Sequence, residues 1–163
     1  MQPDATAAMV AQWNRERPDL DATPMLVVGR LFRLTDEADQ RLRPLFAAAD
    51  LGNGDFDVLA ALRRSGAPYA LSAGELSRTV LVTTGAITKR VDRLETRGLV
   101  SRTVDENDSR GRLVTLTPDG VALTDELIAD HLDNQRRLLA GLTEQEREQL
   151  AALLQRLATT LDS

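Results

Sequence analysis

The most informative segment of this 163-residue chain is TTGAITKRVDRLETRGLV, residues 83–100. At about 100° per residue, Ile87, Val91 and Leu94 fall on one face of a helix, which predicts that this face packs against a core. The other side of the helix carries small or charged residues: Gly85, Thr88, Lys89, Asp92, Arg93 and Thr96. A cationic face with small residues fits the DNA major groove, but the same pattern also describes an ordinary amphipathic helix with one solvated side. The flanking sequence therefore has to distinguish the two.

The helix has a clear predicted end. Gly98 stands where a left-handed C-cap belongs, and Leu99 can fold back onto Leu94 in a Schellman motif. A strand follows directly, so the helix is predicted to stop at the edge of a small sheet.

A second, shorter helix is predicted just before this segment. Ser72 and Glu75 stand three residues apart, which is the spacing of a capping box at a helix start. Residues 80–82 then lead to the next N-cap, at Thr83 or Thr84. The order of elements is that of a helix-turn-helix, whose second helix reads DNA.

Two predicted strands follow the recognition helix. Residues 99–104 and 112–117 are rich in β-branched side chains, and residues 105–111 between them are all turn-forming or polar. This pattern predicts a β-hairpin. A hairpin beside a helix-turn-helix forms a wing, and an arginine at its tip can enter the narrow, electronegative minor groove.

Three motifs resemble the MarR family of winged-helix regulators. They are Glu75–Ser77, the sequence RLETRGLV at 93–100, and the wing signature D-x-R-G-R-L-V-x-L-T-x-x-G at Asp108–Gly120. The resemblance extends over about residues 25–160, and the wing signature is its most specific part. It implies a homodimer that binds double-stranded DNA at a pseudo-palindromic operator.

The resemblance also implies roles for wing residues. Asp108 would position Arg110 for the minor groove, and Ser109 stands where many members carry a second basic residue. Motif and helix face together predict DNA contacts from Ser72, Thr83, Thr84, Thr88, Lys89, Arg93, Asp108, Arg110 and Arg112.

The predicted fold class is mainly α with a small β-hairpin wing. We expect one MarR-type domain over residues 1–163, with a winged helix-turn-helix at 52–117 and dimerisation helices at 1–50 and 118–163. The terminal helices carry more apolar positions than a thin wing domain can cover, and a two-fold partner would cover them. No apolar run is long enough to span a membrane, so we expect a cytoplasmic protein.

Composition narrows the possible functions. The chain has no cysteine, which excludes disulfides, thiolate catalysis and cysteine-based redox sensing, and its only histidine is His131. We expect no metal site, no cofactor and no catalytic residues, because the sequence contains no nucleophile arrangement, ligand cluster or phosphate loop. His131 is predicted to be a surface or interface residue on a helix.

The net charge of −5 does not argue against DNA binding. Residues 78–112 contain eight basic and five acidic side chains, so this segment carries +3 while the rest of the chain is acidic. Attraction to phosphate depends on charges within about 10 Å, not on the sum over the chain.

Four residues form a candidate ligand site: Trp13, Asp57, Arg64 and Arg90. Asp57 and Arg64 are seven residues apart on one helical stripe, and Arg90 points toward the protein side of the recognition helix. The alternative is structural, with an Asp57–Arg64 ion pair and a tryptophan in the core.

These four positions resemble the urate-responsive subgroup of the MarR family. The resemblance implies that Trp13 contacts a planar ligand, Arg90 holds its anionic edge, Asp57 is repelled by it and Arg64 relays the shift, so that DNA is released. Other inducers stay open, including xanthine, a tricarboxylate or a phenolic acid. A helical interaction protein without DNA affinity is a further alternative, against which the wing and the +3 segment argue.

Overall fold

The computed structural model describes residues 4–80, 84–104 and 112–161. Its helices are α1 (Ala5–Glu16), α2 (Met25–Ala48), α3 (Asp55–Arg64), α4 (Ala73–Thr79), α5 (Thr84–Thr96), α6 (Pro118–Leu138) and α7 (Glu144–Leu161). Its strands are β1 (Ala70–Ser72), β2 (Val100–Val104) and β3 (Arg112–Leu116). The predicted fold class, mainly α with a small antiparallel sheet, is confirmed. In the described parts of the chain, no helix is long and apolar enough to cross a lipid bilayer.

The chain divides into two compact units, Met1–Arg43 and Pro44–Ser163. In the first, Asp4 caps α1 by accepting the Ala7 N–H at 2.7 Å and pairs with Arg30 of α2. The backbone hydrogen bond, followed by the one from Arg30, lowers the pKa of Asp4. The Trp13 side chain of α1 is exposed for 45% of its surface, so it is not a core residue.

The second unit is built around the apolar face of α5. Ile87, Val91 and Leu94 are completely or almost completely buried, as their spacing predicted. They join a core with α3, α4, the sheet and α6, whose buried members include Val58, Leu59, Leu62, Leu76, Val114, Leu116 and Leu127. Burying each of these large side chains contributes about 1.5–3 kcal/mol, so the back of α5 is firmly anchored.

The sheet contains the predicted hairpin and one strand that the sequence did not reveal. Strands β2 and β3 are antiparallel, with Ser101 opposite Thr115. Strand β1 lies on the other side of β3, with Leu71 opposite Val114, so the order is β1-β3-β2. The predicted turn at residues 105–111 lies outside the described residues.

Helix α5 ends where its capping signal predicted, and a second cap starts α6. Gly98 has φ +69°, the Leu99 N–H donates to the Leu94 carbonyl at 3.0 Å, and the Gly98 N–H donates to the Glu95 carbonyl at 2.9 Å. This is the Schellman pattern. Thr117 caps α6 by accepting the Gly120 N–H at 3.0 Å, and its hydroxyl donates to the Gly98 carbonyl at 2.7 Å. The end of α5 and the start of α6 are therefore tied together.

Candidate nucleic-acid interface and ligand cavity

Helices α4 and α5 form the predicted helix-turn-helix, and α4 begins with a complete capping box. The Ser72 hydroxyl accepts the Glu75 N–H at 3.2 Å, while the Ser72 N–H donates to the Glu75 carboxylate at 2.8 Å. The Ser72 hydroxyl also donates to that carboxylate at 2.8 Å. These bonds from Ser72, backbone first, lower the pKa of Glu75. The Ser72 side chain thus has a structural role, and its predicted DNA contact stays a prediction.

The face of α5 opposite the core is solvent-exposed. Thr88, Lys89 and Arg93 are exposed on it, and so is Arg112 at the start of β3. Helix α5 begins at Thr84, and its predicted N-cap at Thr83 or Thr84 stays a prediction. Predicted contacts at Thr83, Asp108 and Arg110 lie outside the described residues.

Arg93 has a protein partner that the sequence did not indicate. Its guanidinium makes two hydrogen bonds to Asp55 at the start of α3, at 2.5 and 3.2 Å. The Asp55 side chain is only 3% exposed, whereas that of Arg93 is 49% exposed. The hydrogen bond to Asp55 raises the pKa of Arg93 against the opposing effect of burial. The two residues are far apart in sequence, so no spacing rule could have paired them.

Two further arginines brace the recognition helix from its neighbours. Arg97 donates to the carbonyls of Asp50 at 2.7 Å and Ala49 at 3.0 Å. On the wing side, Arg102 of β2 lies 2.5 Å from the Asp92 carboxylate and also pairs with Glu95. The helix is therefore fixed both to the segment before α3 and to the sheet.

Arg90 points inward, as its position on the helical wheel predicted. Its side chain is 16% exposed and its Nη1 lies 3.9 Å from the Asp57 carboxylate. This nitrogen is buried and makes no hydrogen bond within the part of the chain that the structure describes. The guanidinium lies against Gly54, which has φ +78°. Arg90 is thus a buried cation whose hydrogen-bonding capacity is not filled.

Asp57 and Arg64 line one cavity of about 280 Å³ on the same side of α3. Its full lining is Phe46, Phe56, Asp57, Ala60, Arg64, Ile128, His131, Leu132 and Gln135. Among the described ion pairs, Asp57 is paired with Arg90 rather than with Arg64. Arg64 therefore shares the lining of the cavity with Asp57, whereas Arg90 contacts Asp57 but does not itself line the cavity. Trp13 belongs to the other unit, and its part in the site stays a prediction.

His131 lines this cavity, which its sequence context did not predict. Its ring lies 5.2 Å from Phe46 and 5.6 Å from Phe56, centroid to centroid. Gln135 donates to Nε2 at 2.9 Å, so the neutral ring carries its proton on Nδ1, which is buried without a hydrogen-bond partner in the described structure. Burial lowers the pKa of His131, and the Asp57 carboxylate opposes this effect.

Comparison with known proteins identifies relatives of one kind. Residues 49–111 match the family model described as the MarR family. The HTH-type transcriptional regulator PecS of Dickeya dadantii is 40% identical over 148 residues, which cover 91% of this chain and 89% of PecS. These relatives are transcriptional regulators, in agreement with the prediction that the chain is not an enzyme.

Solved structures give the same fold with DNA-binding proteins. A mutant of MarR from Escherichia coli, complexed with operator DNA, matches with a TM-score of 0.72 and 28% identity, covering 89% of this chain and 96% of that one. BpsR of Bordetella bronchiseptica, whose DNA binding is regulated by 6-hydroxynicotinic acid, matches with a TM-score of 0.73 and 28% identity. The match covers 81% of this chain and 92% of BpsR.

Proposed function

Because this chain belongs to the MarR family of DNA-binding transcriptional regulators, we propose that it is a homodimeric repressor released from its operator by a small anionic metabolite. The single observation that carries the ligand response is Arg90, whose buried Nη1 lies beside Asp57 and has no hydrogen-bond partner among the described residues. The alternative of a helical interaction protein without DNA affinity is not needed, because the relatives are DNA-binding regulators.

On DNA, we place α5 in the major groove and the wing over the minor groove. Thr83, Thr84, Thr88 and Lys89 would contact the major groove, with Ser72 at the start of α4, and Asp108, Arg110 and Arg112 would serve the wing. Arg93, which the sequence also predicts to contact DNA, is left out of this set because its guanidinium binds Asp55. The support is the geometry of α5, whose apolar side is buried while Thr88 and Lys89 are exposed on the other side. Two such helices in a dimer read half-sites about 10 base pairs apart.

The dimer is supported by exposed apolar side chains. Helix α7 exposes Leu150, Leu153, Leu154, Leu157 and Leu161, and α2 exposes Val27, Val28, Phe32 and Leu34. Several exposed apolar side chains gathered on one helix, as on α7, mark an interaction site. In our proposal an identical chain covers it, as the two-fold symmetry of an operator requires.

The ligand we propose is a flat anion, with urate as the first candidate. Its anionic edge would accept a hydrogen bond from Arg90 Nη1, which among the described residues has a long contact of 3.9 Å to the Asp57 carboxylate and no hydrogen bond. Asp57 would be repelled, Arg64 would relay the shift, and Trp13 would stack on the ring. An anion entering here changes the partner of a recognition-helix residue, and a tenfold loss of DNA affinity requires only about 1.4 kcal/mol of coupling.

Aromatic acids are a second ligand class that a specific observation favours. Phe46, Phe56 and His131 form an aromatic wall in the cavity, with Arg64 on its lining. BpsR, whose DNA binding is regulated by 6-hydroxynicotinic acid, has the same fold. Xanthine, phenolic acids and tricarboxylates remain candidates on the charge argument.

The test starts from a DNA duplex that the wild-type protein selects from a random pool. The protein–DNA complex is titrated with urate, xanthine, 6-hydroxynicotinic acid and citrate. Arg90→Ala and Trp13→Phe should retain operator binding and lose release by the active compound. Arg63→Ala is the matched control, because Arg63 is the neighbour of Arg64 on α3 but pairs with Asp125 instead of lining the cavity. A wild-type complex insensitive to all four compounds would refute the ligand class and leave the regulator assignment intact.

A further inference from the structure

The recognition helix rests on a short segment that the family-based proposal does not use. We call residues 49–57, which link α2 to the first turn of α3, the docking segment. From its contacts we infer that Asp55 and Arg93 are a positioning pair, which sets the orientation of α5 for operator recognition. Arg93 then acts through Asp55 and not by touching DNA. This inference rests on the assignment of α5 as the recognition helix.

Two arginines of α5, Arg90 and Arg93, and Arg97 directly after the helix face the docking segment. Arg90, Arg93 and Arg97 follow one another at intervals of three and four residues, so they form one stripe along the helix. Arg90 lies against Gly54, Arg93 binds Asp55, and Arg97 binds the carbonyls of residues 49 and 50. The stripe therefore touches the docking segment over its whole length.

The Arg93–Asp55 contact is the most specific of the three. It is bidentate, and such a fork fixes the relative orientation of the two groups as well as their distance. Asp55 is itself held, because it accepts the Gly52 N–H at 2.8 Å and lies in the first turn of α3. A Cβ atom at residue 52 would lie 3.0 Å from the Asp55 carboxylate and 3.3 Å from Arg93 Nε, so glycine allows the close approach.

The direction in which operator affinity changes when Asp55 is neutralised tests the inference. A carboxylate close to DNA repels phosphate, so neutralising Asp55 would by charge alone strengthen DNA binding. If the pair holds α5 in position, neutralising Asp55 weakens operator binding instead. The two explanations of this buried carboxylate thus predict opposite effects of one substitution.

The experiment uses the full chain and the selected duplex described above. The operator dissociation constant of Asp55→Asn, Arg93→Ala, Arg93→Lys and the Asp55→Asn/Arg93→Ala double variant is measured across a salt series, with thermal unfolding recorded for each. We expect about a tenfold loss in each single variant, no further loss in the double variant, and a salt dependence like that of the wild type. Lysine should fail to restore binding, because an ammonium cannot reproduce the bidentate fork.

Lys89→Ala is the matched control, a cation exposed on the same helix one turn earlier. In our proposal Lys89 lies at the DNA, so loss of its cation should release fewer counterions on binding and flatten the salt slope by about one unit. The inference is overturned if Asp55→Asn binds as tightly as the wild type or more tightly, or if Arg93→Ala flattens the slope like Lys89→Ala. Should Asp55→Asn not fold, full affinity in Arg93→Lys overturns it and a loss supports it. A wild type that selects no duplex would refute the assignment of α5 itself, a separate failure.

Discussion

At the scale of single residues, Gly54 determines how closely the recognition helix can approach α3. Its backbone has φ +78°, and a Cβ built on it would lie 2.1 Å from the Cζ of Arg90. Two reasons therefore favour glycine at this position: the left-handed backbone conformation, and the lack of room for a Cβ atom. Gly66 has a similar φ of +80°, but a Cβ atom added there would have no atom of the described structure within 4 Å. At Gly66 only the backbone conformation favours glycine.

This pair of glycines gives the first prediction. Gly66→Ala should lower the free energy of unfolding by about 1 kcal/mol, the cost of the left-handed backbone alone. Gly54→Ala should lower it by about 2–4 kcal/mol, because Arg90 must also move. Chemical denaturation of both variants measures the difference. Equal losses would show that Arg90 does not lie against the backbone of residue 54.

A second residue-scale prediction concerns His131 and pH. Burial lowers its pKa in the folded protein, so the unfolded chain binds the proton more readily. The free energy of unfolding should therefore fall as the pH drops from about 7.5 to 5.5, through the ordinary histidine range. In His131→Gln this contribution disappears, and the difference between the two stability curves measures it.

Asp57 supplies the control for the pH prediction. Its carboxylate opposes the lowering of the His131 pKa, so Asp57→Asn should make the pH dependence of unfolding steeper. Most carboxylates stay ionised in this range and contribute little. Parallel curves for the wild type and His131→Gln would contradict the prediction.

At the scale of elements, the signals that sequence carries best are local ones. The capping boxes at Ser72 and Thr143 and the Schellman end at Gly98 depend on residues at most five apart. The box at Ser72 and the end at Gly98 appear as predicted. Strand β1 was not predicted, because a three-residue segment shows no periodicity and the strand forms only by pairing with the distant β3. The Asp55–Arg93 pair and the position of His131 in the cavity were not predicted either, because in both cases tertiary packing brings together residues that are distant in sequence.

The two capping boxes provide a matched prediction for elements. Ser72→Ala and Thr143→Ala each remove the same hydrogen bonds at a helix start, and each should lower the free energy of unfolding by about 1 kcal/mol. Only Ser72→Ala should also weaken operator binding, because α4 supports the recognition helix and Ser72 itself belongs to the proposed DNA interface. Denaturation and DNA titration of both variants check this. Equal effects on DNA affinity would assign α4 no special part in binding.

At the scale of the whole molecule, charge and apolar surface are divided between parts of the chain. The +3 of residues 78–112 contrasts with a net charge of −5 overall, so attraction to DNA is confined to the segment that reads it. Exposed leucines are concentrated on α7, a helix with no fully buried residue in this single chain. This division indicates that the charged segment around the recognition helix binds DNA and that the apolar terminal helices bind a second chain.

The last prediction tests whether the leucines of α7 form the dimer interface. On a helical wheel Leu150, Leu153 and Leu157 share one face of α7 with Leu154 and Leu161, so a charge there would be buried in a dimer at high cost. Leu153→Glu should give a monomer in sedimentation and weaken operator binding by more than about tenfold, because one half-site contact is lost. Ala152→Glu places the same charge on the opposite face and should change neither property. A dimeric Leu153→Glu protein with full operator affinity would show that α7 does not form the interface, and would transfer that role to the exposed apolar face of α2.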